Sequence, residues 1–309
     1  MPISFCDQST KKPVINQMIN HEKALNFNKV GNDYFKNGYY KDAIDSYKQA
    51  LKLFISSHGE EHKSVATTIG NIGNAYWKMG KLHEALARLE NSLRILVIVS
   101  KKNNMLRDST ETLEICNTLH SIGIIHYLIG DSDYAISNFI RALNIYKVIH
   151  EENSTHAART NDAMGSAYLQ EGNILEAIKY FHDAVNVKQN LPDTNPLSLV
   201  MSMKNLANAA MINRDYEKAL CVCEEIVTVQ MSDGASSFFT GKDVGKIFHI
   251  VGSIHMQLKQ HSVAKKFFKK AFQQYRTSGV TKDDPMMIEL EKSMISDGTS
   301  QKLMARYVL

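Results

Sequence analysis

The chain has 309 residues, of which 44% are hydrophobic, and a formal net charge of only +4. Five prolines and 16 glycines are too few for a loop-rich or all-β protein and argue against long disordered tracts. The nearly balanced charge lacks the clustered basic character of nucleic-acid-binding domains, so a nucleic-acid partner is disfavoured. No apolar run approaches the roughly 20 residues that a membrane span needs, so we expect no membrane partner.

The cysteines and the first residues bear on the cellular compartment. Cys6, Cys116, Cys221 and Cys223 are too few and too scattered for a disulfide framework, and the last two lack the spacing of a zinc knuckle or a redox pair. Residues 1–20 mix charged and amide side chains with apolar ones and lack the apolar core of a signal peptide. We therefore expect a reduced, cytoplasmic protein.

The first segment, residues 1–22, is predicted to be an N-terminal lead. It contains Pro2 and Pro13 and does not join the pattern that follows it. We expect this lead to be flexible or to form one short helix, because proline is tolerated only at the start of a helix.

A small residue then recurs six times, at separations of 42, 50, 42, 42 and 45 residues, and an alanine follows each one twelve positions later. The pattern predicts six helical hairpins at 23–280, with the small residue on helix A and the alanine on helix B, because small side chains let two helix backbones approach closely. The hairpins are predicted at about 24–53, 66–98, 116–147, 158–189, 200–231 and 245–276. The small residues are Gly31, Gly73, Gly123, Gly165, Ala207 and Gly252, and the alanines are Ala43, Ala85, Ala135, Ala177, Ala219 and Ala264.

Two further positions of each hairpin are predictable. Four residues after the alanine lies a large side chain in five of the six hairpins, as at Tyr47 and Phe139, and these large residues are expected to surround the contact between the two helices. Seven residues after the small residue, the first four hairpins carry a glycine, where helix A must end and a left-handed cap favours glycine. These four glycines are Gly38, Gly80, Gly130 and Gly172.

The last segment, residues 281–309, is predicted to be a capping helix and a tail. A helix near 283–296 would have Pro285 in its first turn, where proline is favoured. A stack of hairpins needs such a final element with one polar face to close its open core.

The repeat pattern resembles the tetratricopeptide repeat family. The stretch 71–80, Asn-Ile-Gly-Asn-Ala-Tyr-Trp-Lys-Met-Gly, and its counterparts carry the small, aromatic and alanine positions of the family signature. The 42-residue spacing is similar to the long repeats of kinesin light chains, although Lys63 replaces a common proline and the third linker, 100–107, is longer. The resemblance implies an all-α, right-handed superhelical solenoid of six hairpins that acts as a non-enzymatic scaffold or adaptor, with a role in cargo or cytoskeletal transport.

The resemblance also implies that the A helices line a concave groove that binds a peptide. The family's groove positions carry six cations and one acid, Asp162, so we expect a protein or peptide client with acidic residues flanking an apolar anchor. Asparagine amides can donate to and accept from its backbone. Trp77 fits the groove and the packing against the next hairpin equally well. The predicted groove residues are Asn28, Lys29, Asn32, Lys36, Asn71, Asn74, Trp77, Lys78, Asn117, Arg159, Lys204, Asn205, Asn208 and Lys246.

No pattern in the sequence indicates an enzyme, a metal site or a cofactor. His58-Gly-Glu-Glu-His62 differs from the zinc-protease motif, in which Glu directly follows the first His. Two alternative functions stay open: a signalling regulator in which a ligand changes the superhelix pitch, and, less favoured, an RNA-binding solenoid, which would need a continuous basic stripe with stacking aromatics. No pattern fixes the oligomeric state.

Overall fold

The structure, a computed structural model, describes residues 11–102, 109–232 and 236–295. Over these residues the chain forms thirteen α-helices, one short 3₁₀ turn and no β-strand. The helices belong to two units, residues 1–152 and 153–309. The first unit contains α1 (Lys11–Lys36), α2 (Tyr40–His58), α3 (Lys63–Lys78), α4 (Leu82–Lys102), α5 (Ser109–Ile129) and α6 (Ser132–Val148). The second contains α7 (Thr155–Gln170), α8 (Ile174–Asn190), α9 (Pro196–Ile212), α10 (Tyr216–Met231), the turn Ser236–Phe238, α11 (Gly241–Gln257), α12 (His261–Thr277) and α13 (Pro285–Ile295).

Within each unit, every helix packs against the next one along the chain. The A helices also contact one another, α3 with α5 in the first unit and α7 with α9 in the second. These pairs of A helices therefore lie side by side within their unit. No helix within the described ranges combines the length and the apolar character that crossing a bilayer requires.

The two helices of a hairpin meet at the small residue and the large side chain opposite it. A Cβ placed on Gly31 would lie 2.6 Å from the Tyr47 ring, and a Cβ on Gly123 would lie 2.4 Å from the Phe139 ring. These distances are far below a carbon–carbon contact, so the glycines provide the close approach of the two helices. All six repeat alanines are fully buried on the B helices.

The fifth hairpin shows why alanine is tolerated at one of the small positions. Ala207 stands where the other hairpins have glycine, and four residues after Ala219 lies Cys223, which is fully buried. A thiol is much smaller than the phenylalanine or tyrosine of most other hairpins. The methyl group of Ala207 thus occupies space that a smaller opposing side chain leaves.

The turns between helix A and helix B contain a residue with positive φ. The left-handed cap predicted for the first four hairpins is confirmed, because Gly38, Gly80, Gly130 and Gly172 have φ values between 76° and 99°. In the fifth and sixth hairpins the equivalent residues are Arg214 and Lys259, with φ of 61° and 58°. Side chains with a Cβ are strained in this region.

Two helix boundaries in the structure differ from the predicted ones. The predicted division between lead and first hairpin, at residues 22 and 23, lies inside α1, which starts at Lys11 because Pro13 falls in its first turn. The third hairpin starts at Ser109, seven residues before the predicted 116. Most of the predicted lead (1–10), part of the third linker (103–108) and the tail (296–309) lie outside the described residues.

The last helix, α13, packs on the final hairpin. Met287, Leu290 and Met294 are buried against a cluster that includes Phe268 and Tyr275 of α12. Pro285 is its first residue and therefore lies in its first turn, as predicted. These contacts cover apolar surface at the end of the second unit.

Candidate peptide-binding site

A cavity of about 240 Å³ opens between α3, α4 and α5 of the first unit. It brings together three of the asparagines that the sequence placed in the groove, two from α3 and one from α5. The remaining lining is mainly hydroxyl groups and leucine side chains, with one carboxylate. The lining residues are Thr67, Gly70, Asn71, Asn74, Leu89, Ser92, Leu96, Glu114, Asn117, Thr118 and Ser121.

The asparagines of the first unit differ in how their amide oxygens are bonded. The Oδ1 atoms of Asn28 and Asn74 are buried and have no hydrogen-bond partner. Asn32 instead accepts a hydrogen bond of 2.8 Å from the hydroxyl of Tyr47 within its own hairpin. Burial raises the pKa of Tyr47 to about 12, so this hydroxyl remains a donor at neutral pH. The amide oxygen of Asn32 is therefore engaged within its own hairpin, although the residue is exposed.

Glu114 is a site residue that the sequence prediction missed. Its Oε2 accepts a hydrogen bond of 2.8 Å from Thr67, and its Oε1 lies 3.5 Å from the ammonium of Lys63. The prediction started the third hairpin at 116, whereas α5 starts at Ser109. Extending the repeat pattern backwards along helix A, nine residues before Gly123, would have found it.

Trp77 packs mainly inside the first unit. Its half-buried ring lies on a cluster formed by Ala85, Leu89, Ile122 and Ile125, which joins the second hairpin to the third. The ammonium of Lys78 lies 4.5 Å from the ring centroid, a cation–π contact. Of the two environments predicted for Trp77, the structure shows the packing against the next hairpin.

The predicted cations of the first unit are solvent-exposed. Lys29, Lys36 and Lys78 are all exposed on the A helices, whereas Asn71 and Asn74 are half-buried. An exposed ammonium is screened by water and salt, so each one contributes little alone. Together they add positive charge to the A helices of the first unit.

The A-helix face of the second unit carries the remaining predicted cations. Arg159 is exposed on α7, whereas Lys204 on α9 and Lys246 on α11 are half-buried. Burial lowers the pKa of Lys204, the nearby Asp243 carboxylate opposes that shift, and the positive charge of Lys246 adds to it. Asp243 also forms a capping box with Thr240 at the start of α11. Asp243 therefore reduces the positive potential around Lys204 and Lys246.

Asp162, the one acid expected in the groove, is engaged by a buried lysine. The ammonium of Lys188 on α8 lies 2.8 Å from Asp162 Oδ2 and donates to Ser202 Oγ at 2.7 Å and to the carbonyl oxygen of Ser198 at 3.2 Å. The hydroxyl of Ser202 donates to the same carboxylate oxygen at 2.6 Å. Lys188 is only 3% exposed, so this is an internal ion pair.

A tetratricopeptide repeat model matches residues 22–96 and 114–190, and a second model of the same repeat matches 245–277. Together they cover more than half of the chain. The chain belongs to the tetratricopeptide repeat family. The predicted all-α TPR solenoid is confirmed by these matches and by solved TPR structures.

Relatives of this TPR chain include kinesin light chain-like proteins. Protein KINESIN LIGHT CHAIN-RELATED 2 of Arabidopsis thaliana is 24% identical over 65% of this chain, which is 29% of the length of that relative. The crystal structure of BtubC (BKLC) from P. vanneervenii has a TM-score of 0.59 at 16% identity and covers 72% of this chain and 92% of that one. Regulatory protein RapG of Bacillus subtilis is 24% identical over 82% of this chain and 63% of its own length. The predicted likeness to kinesin light chain repeats is confirmed.

The face of α9 that carries Asn205 and Asn208 also displays apolar side chains that the prediction left out. Met201 and Ile212 are 61% and 48% exposed. They lie four residues before Asn205 and four after Asn208, on the same side of the helix. Exposed apolar residues beside amides are suited to anchoring a peptide side chain.

The described residues contain no group of three or more His, Cys, Asp or Glu side chains placed to hold a metal ion. Two cysteines, Cys116 and Cys223, are buried, and burial raises the pKa of each thiol to about 12. Both are therefore neutral packing residues, and Cys221 is the exposed thiol of the part that the structure describes.

Proposed function

We propose that this TPR chain is a non-enzymatic, cytoplasmic adaptor whose A-helix faces bind an extended peptide that carries acidic residues. TPR and kinesin light chain-like relatives support the general role of a protein-interaction scaffold. A link to cargo or to the cytoskeleton is proposed from the kinesin light chain-related proteins, of which this chain matches less than a third.

The feature that supports the proposal best is the asparagine-lined cavity on the first unit. Asn71, Asn74 and Asn117 face one space, and one of their amide oxygens has no partner. Each amide can pair with a backbone N–H and a backbone C=O of an extended chain, whatever its sequence. Such contacts give affinity without close side-chain specificity.

The charge preference follows from the exposed cations on the same face. Lys29, Lys36 and Lys78 are exposed in the first unit, and Arg159 is exposed in the second. Glu114, Asp162 and Asp243 are acids of these A helices, and each lies near a lysine of its own unit. The cations therefore give a net attraction for acidic side chains, which long-range electrostatics strengthens at low salt.

A peptide array on the purified chain tests the proposal, with Lys78→Glu and Arg159→Glu as the informative variants and Lys52→Glu, an exposed B-helix lysine, as the matched control. We expect extended acidic peptides to bind, the first two variants to weaken them roughly three- to tenfold, and the control to bind normally. Peptide binding that ignores both reversals would move recognition away from the A-helix faces. A folded chain that binds no peptide would disprove the adaptor role.

A second candidate is a signalling regulator whose arrangement of hairpins changes when its ligand binds. The similarity to Regulatory protein RapG, which spans 82% of this chain, favours this alternative. Small-angle X-ray scattering with and without a peptide recovered from the array distinguishes the two. An adaptor keeps its scattering profile, whereas a regulator of this kind changes its radius of gyration.

A further inference from the structure

One layer of side chains repeats through the chain between helix A and helix B. On helix A it is the residue three before the small residue, and on helix B the residue eleven after the alanine. All six helix-B residues are buried, with between 1% and 3% of their surface exposed. The pairs are Asn28–Phe54, Gly70–Leu96, His120–Tyr146, Asp162–Lys188, Lys204–Gln230 and His249–Tyr275.

The cavity of the first unit lies at the layer of the second hairpin, which has the smallest pair of side chains. Gly70 contributes no side chain, and Leu96 is shorter than the aromatic residues at the same position in three other hairpins. Both residues line the cavity, together with Glu114 and Thr118 from α5. Its volume, about 240 Å³, is below the roughly 300–1,000 Å³ of small-molecule sites, so the space suits a single side chain.

The second unit shows what fills the same repeat positions there. Asp162 takes the place of Gly70, Lys188 that of Leu96, and Ser202 that of Thr118. The Lys188 ammonium is held by a carboxylate, a hydroxyl and a backbone carbonyl. The carbonyl belongs to Ser198, whose repeat position is that of Glu114. The fold therefore holds an ammonium at this layer when the lining supplies these acceptors.

The open cavity of the first unit offers the same kinds of acceptor but has no lysine of its own. Its lining includes the Glu114 carboxylate and no cationic side chain. Lys63 lies 3.5 Å from Glu114, but both side chains are about one third exposed, so water weakens this pair. A carboxylate has about four acceptor positions, which leaves room for a further donor. Asn74, which also lines the cavity, has a buried Oδ1 without a hydrogen-bond partner.

We infer that this cavity binds the ammonium of a lysine side chain of the client peptide, in the way that the second unit binds Lys188. The inference rests on the proposed peptide-binding function and makes it specific. The client carries acidic residues opposite the exposed lysines and one lysine that enters between α3, α4 and α5. An anionic side chain is disfavoured because Glu114 would repel it, and an apolar one would leave the amide acceptors unpaired.

Three peptides that share acidic flanks and differ at one central position test this inference. That position is lysine, norleucine, which has an unbranched side chain without charge, or glutamate. Trp77, the only tryptophan of the chain, reports binding by fluorescence, because it packs on Leu89, which also lines the cavity. We expect the lysine peptide to bind roughly five- to tenfold more tightly than the norleucine peptide, and the glutamate peptide to bind most weakly.

Two variants test whether the preference for the lysine peptide arises in the cavity. Glu114→Gln keeps the shape of the cavity and removes its charge, and Leu96→Phe fills the cavity with the residue found at position 54. Both are expected to reduce the lysine preference to about twofold or less, whereas Glu61→Gln, an exposed carboxylate outside the cavity that pairs with Lys102, keeps it. Circular dichroism checks that each variant is folded.

The outcomes separate this inference from the proposed function. If the norleucine or glutamate peptide binds as tightly as the lysine peptide, the faces bind peptides but the cavity does not select an ammonium. If the preference survives Glu114→Gln, the ammonium binds elsewhere and the assignment of the cavity is wrong. If none of the three peptides binds the folded chain, the inference and the proposed function both fail.

Discussion

The second and fourth hairpins use the same layer of the repeat in opposite ways. In the second unit, Asp162 and Lys188 close the layer with an ion pair, and Ser202 donates a hydrogen bond to the same carboxylate oxygen. In the first unit, Gly70 and Leu96 leave an open, asparagine-lined cavity at the same repeat positions. The helix packing around both is alike, since Gly73 and Gly165 each lie against a large residue of helix B. A TPR hairpin can thus keep its framework while two side chains decide between internal stability and a binding cavity.

The largest expected effect on the free energy of unfolding comes from breaking the Asp162–Lys188 ion pair of the second unit. Asp162→Ala leaves the ammonium of Lys188 buried without its carboxylate, which should lower the free energy of unfolding by about 3 kcal/mol. Urea unfolding followed by circular dichroism measures the loss. The double variant Asp162→Ala with Lys188→Leu, which takes the leucine found at position 96, should recover most of it. If the double variant is no more stable than the single one, the loss comes from the cavity left by Asp162 and not from the unpaired charge.

A smaller loss of stability is expected from a substitution at the contact between helix A and helix B, which both regions share. Gly165→Ala places a methyl group 2.8 Å from the Phe181 ring, so the helices must separate, at a cost of about 2 kcal/mol. Gly172→Ala on the same hairpin is the control, because its Cβ meets open space and only its positive φ of 79° is strained. We expect thermal unfolding to show the greater loss for Gly165→Ala. If Gly165→Ala lost no more stability than Gly172→Ala, the contact between Gly165 and Phe181 would have room for a methyl group.

The residues that pack helix A against helix B were predictable from the sequence. The interactions of the side-chain pair three before the small residue and eleven after the alanine were not. The small residue, the alanine and the turn glycine recur at fixed offsets because backbone approach and positive φ restrict each position to a few residue types. Lys188, by contrast, resembles any solvated helix lysine until the helices are packed. Its one signal is its offset of eleven from Ala177, which the other hairpins fill with buried residues.

The candidate site shows the same limit. Asn71, Asn74 and Asn117 were predicted from repeat positions, and the structure brings them to one cavity. Asn32 occupies a predicted position but is bonded to Tyr47, which only the packing of helix A on helix B reveals. Glu114 was missed because the prediction started the third hairpin at 116, whereas α5 starts at Ser109.

The two units also differ in the residue that ends helix A, and this difference is expected to have a smaller effect on stability. All three hairpins of the first unit end helix A with a glycine at positive φ, whereas in the second unit Arg214 and Lys259 adopt this conformation. Arg214→Gly removes the strain of a Cβ at φ 61° and should raise the free energy of unfolding by about 0.5 to 1 kcal/mol. Thermal unfolding measures the gain, and Gly80→Arg in the first unit is the converse control, expected to be destabilising. A loss on Arg214→Gly would show that the arginine side chain contributes more than the strain costs.

The smallest expected difference between the units is in their response to acid. Burial lowers the pKa of His249 on α11, although the negative charge of Glu289 opposes that shift, and burial together with the adjacent His21 lowers the pKa of His58 on α2. A histidine whose pKa is lower in the folded state binds protons more readily when unfolded, so its contribution to stability is complete above the unfolded pKa near 6.5 and declines as pH falls below it.

The change in unfolding temperature between pH 7.5 and pH 5.5 should therefore shrink when either histidine is replaced by glutamine. We expect His249→Gln to shrink it more than His58→Gln, because the His249 ring is half-buried against Phe268 and bonded to Ser293, whereas His58 is exposed. Protonating the more buried imidazole has the larger desolvation penalty. A larger change for His58→Gln would place the main acid-sensitive contact at the histidines of the first unit, where His58 stacks on His62, and reverse the order of the two units.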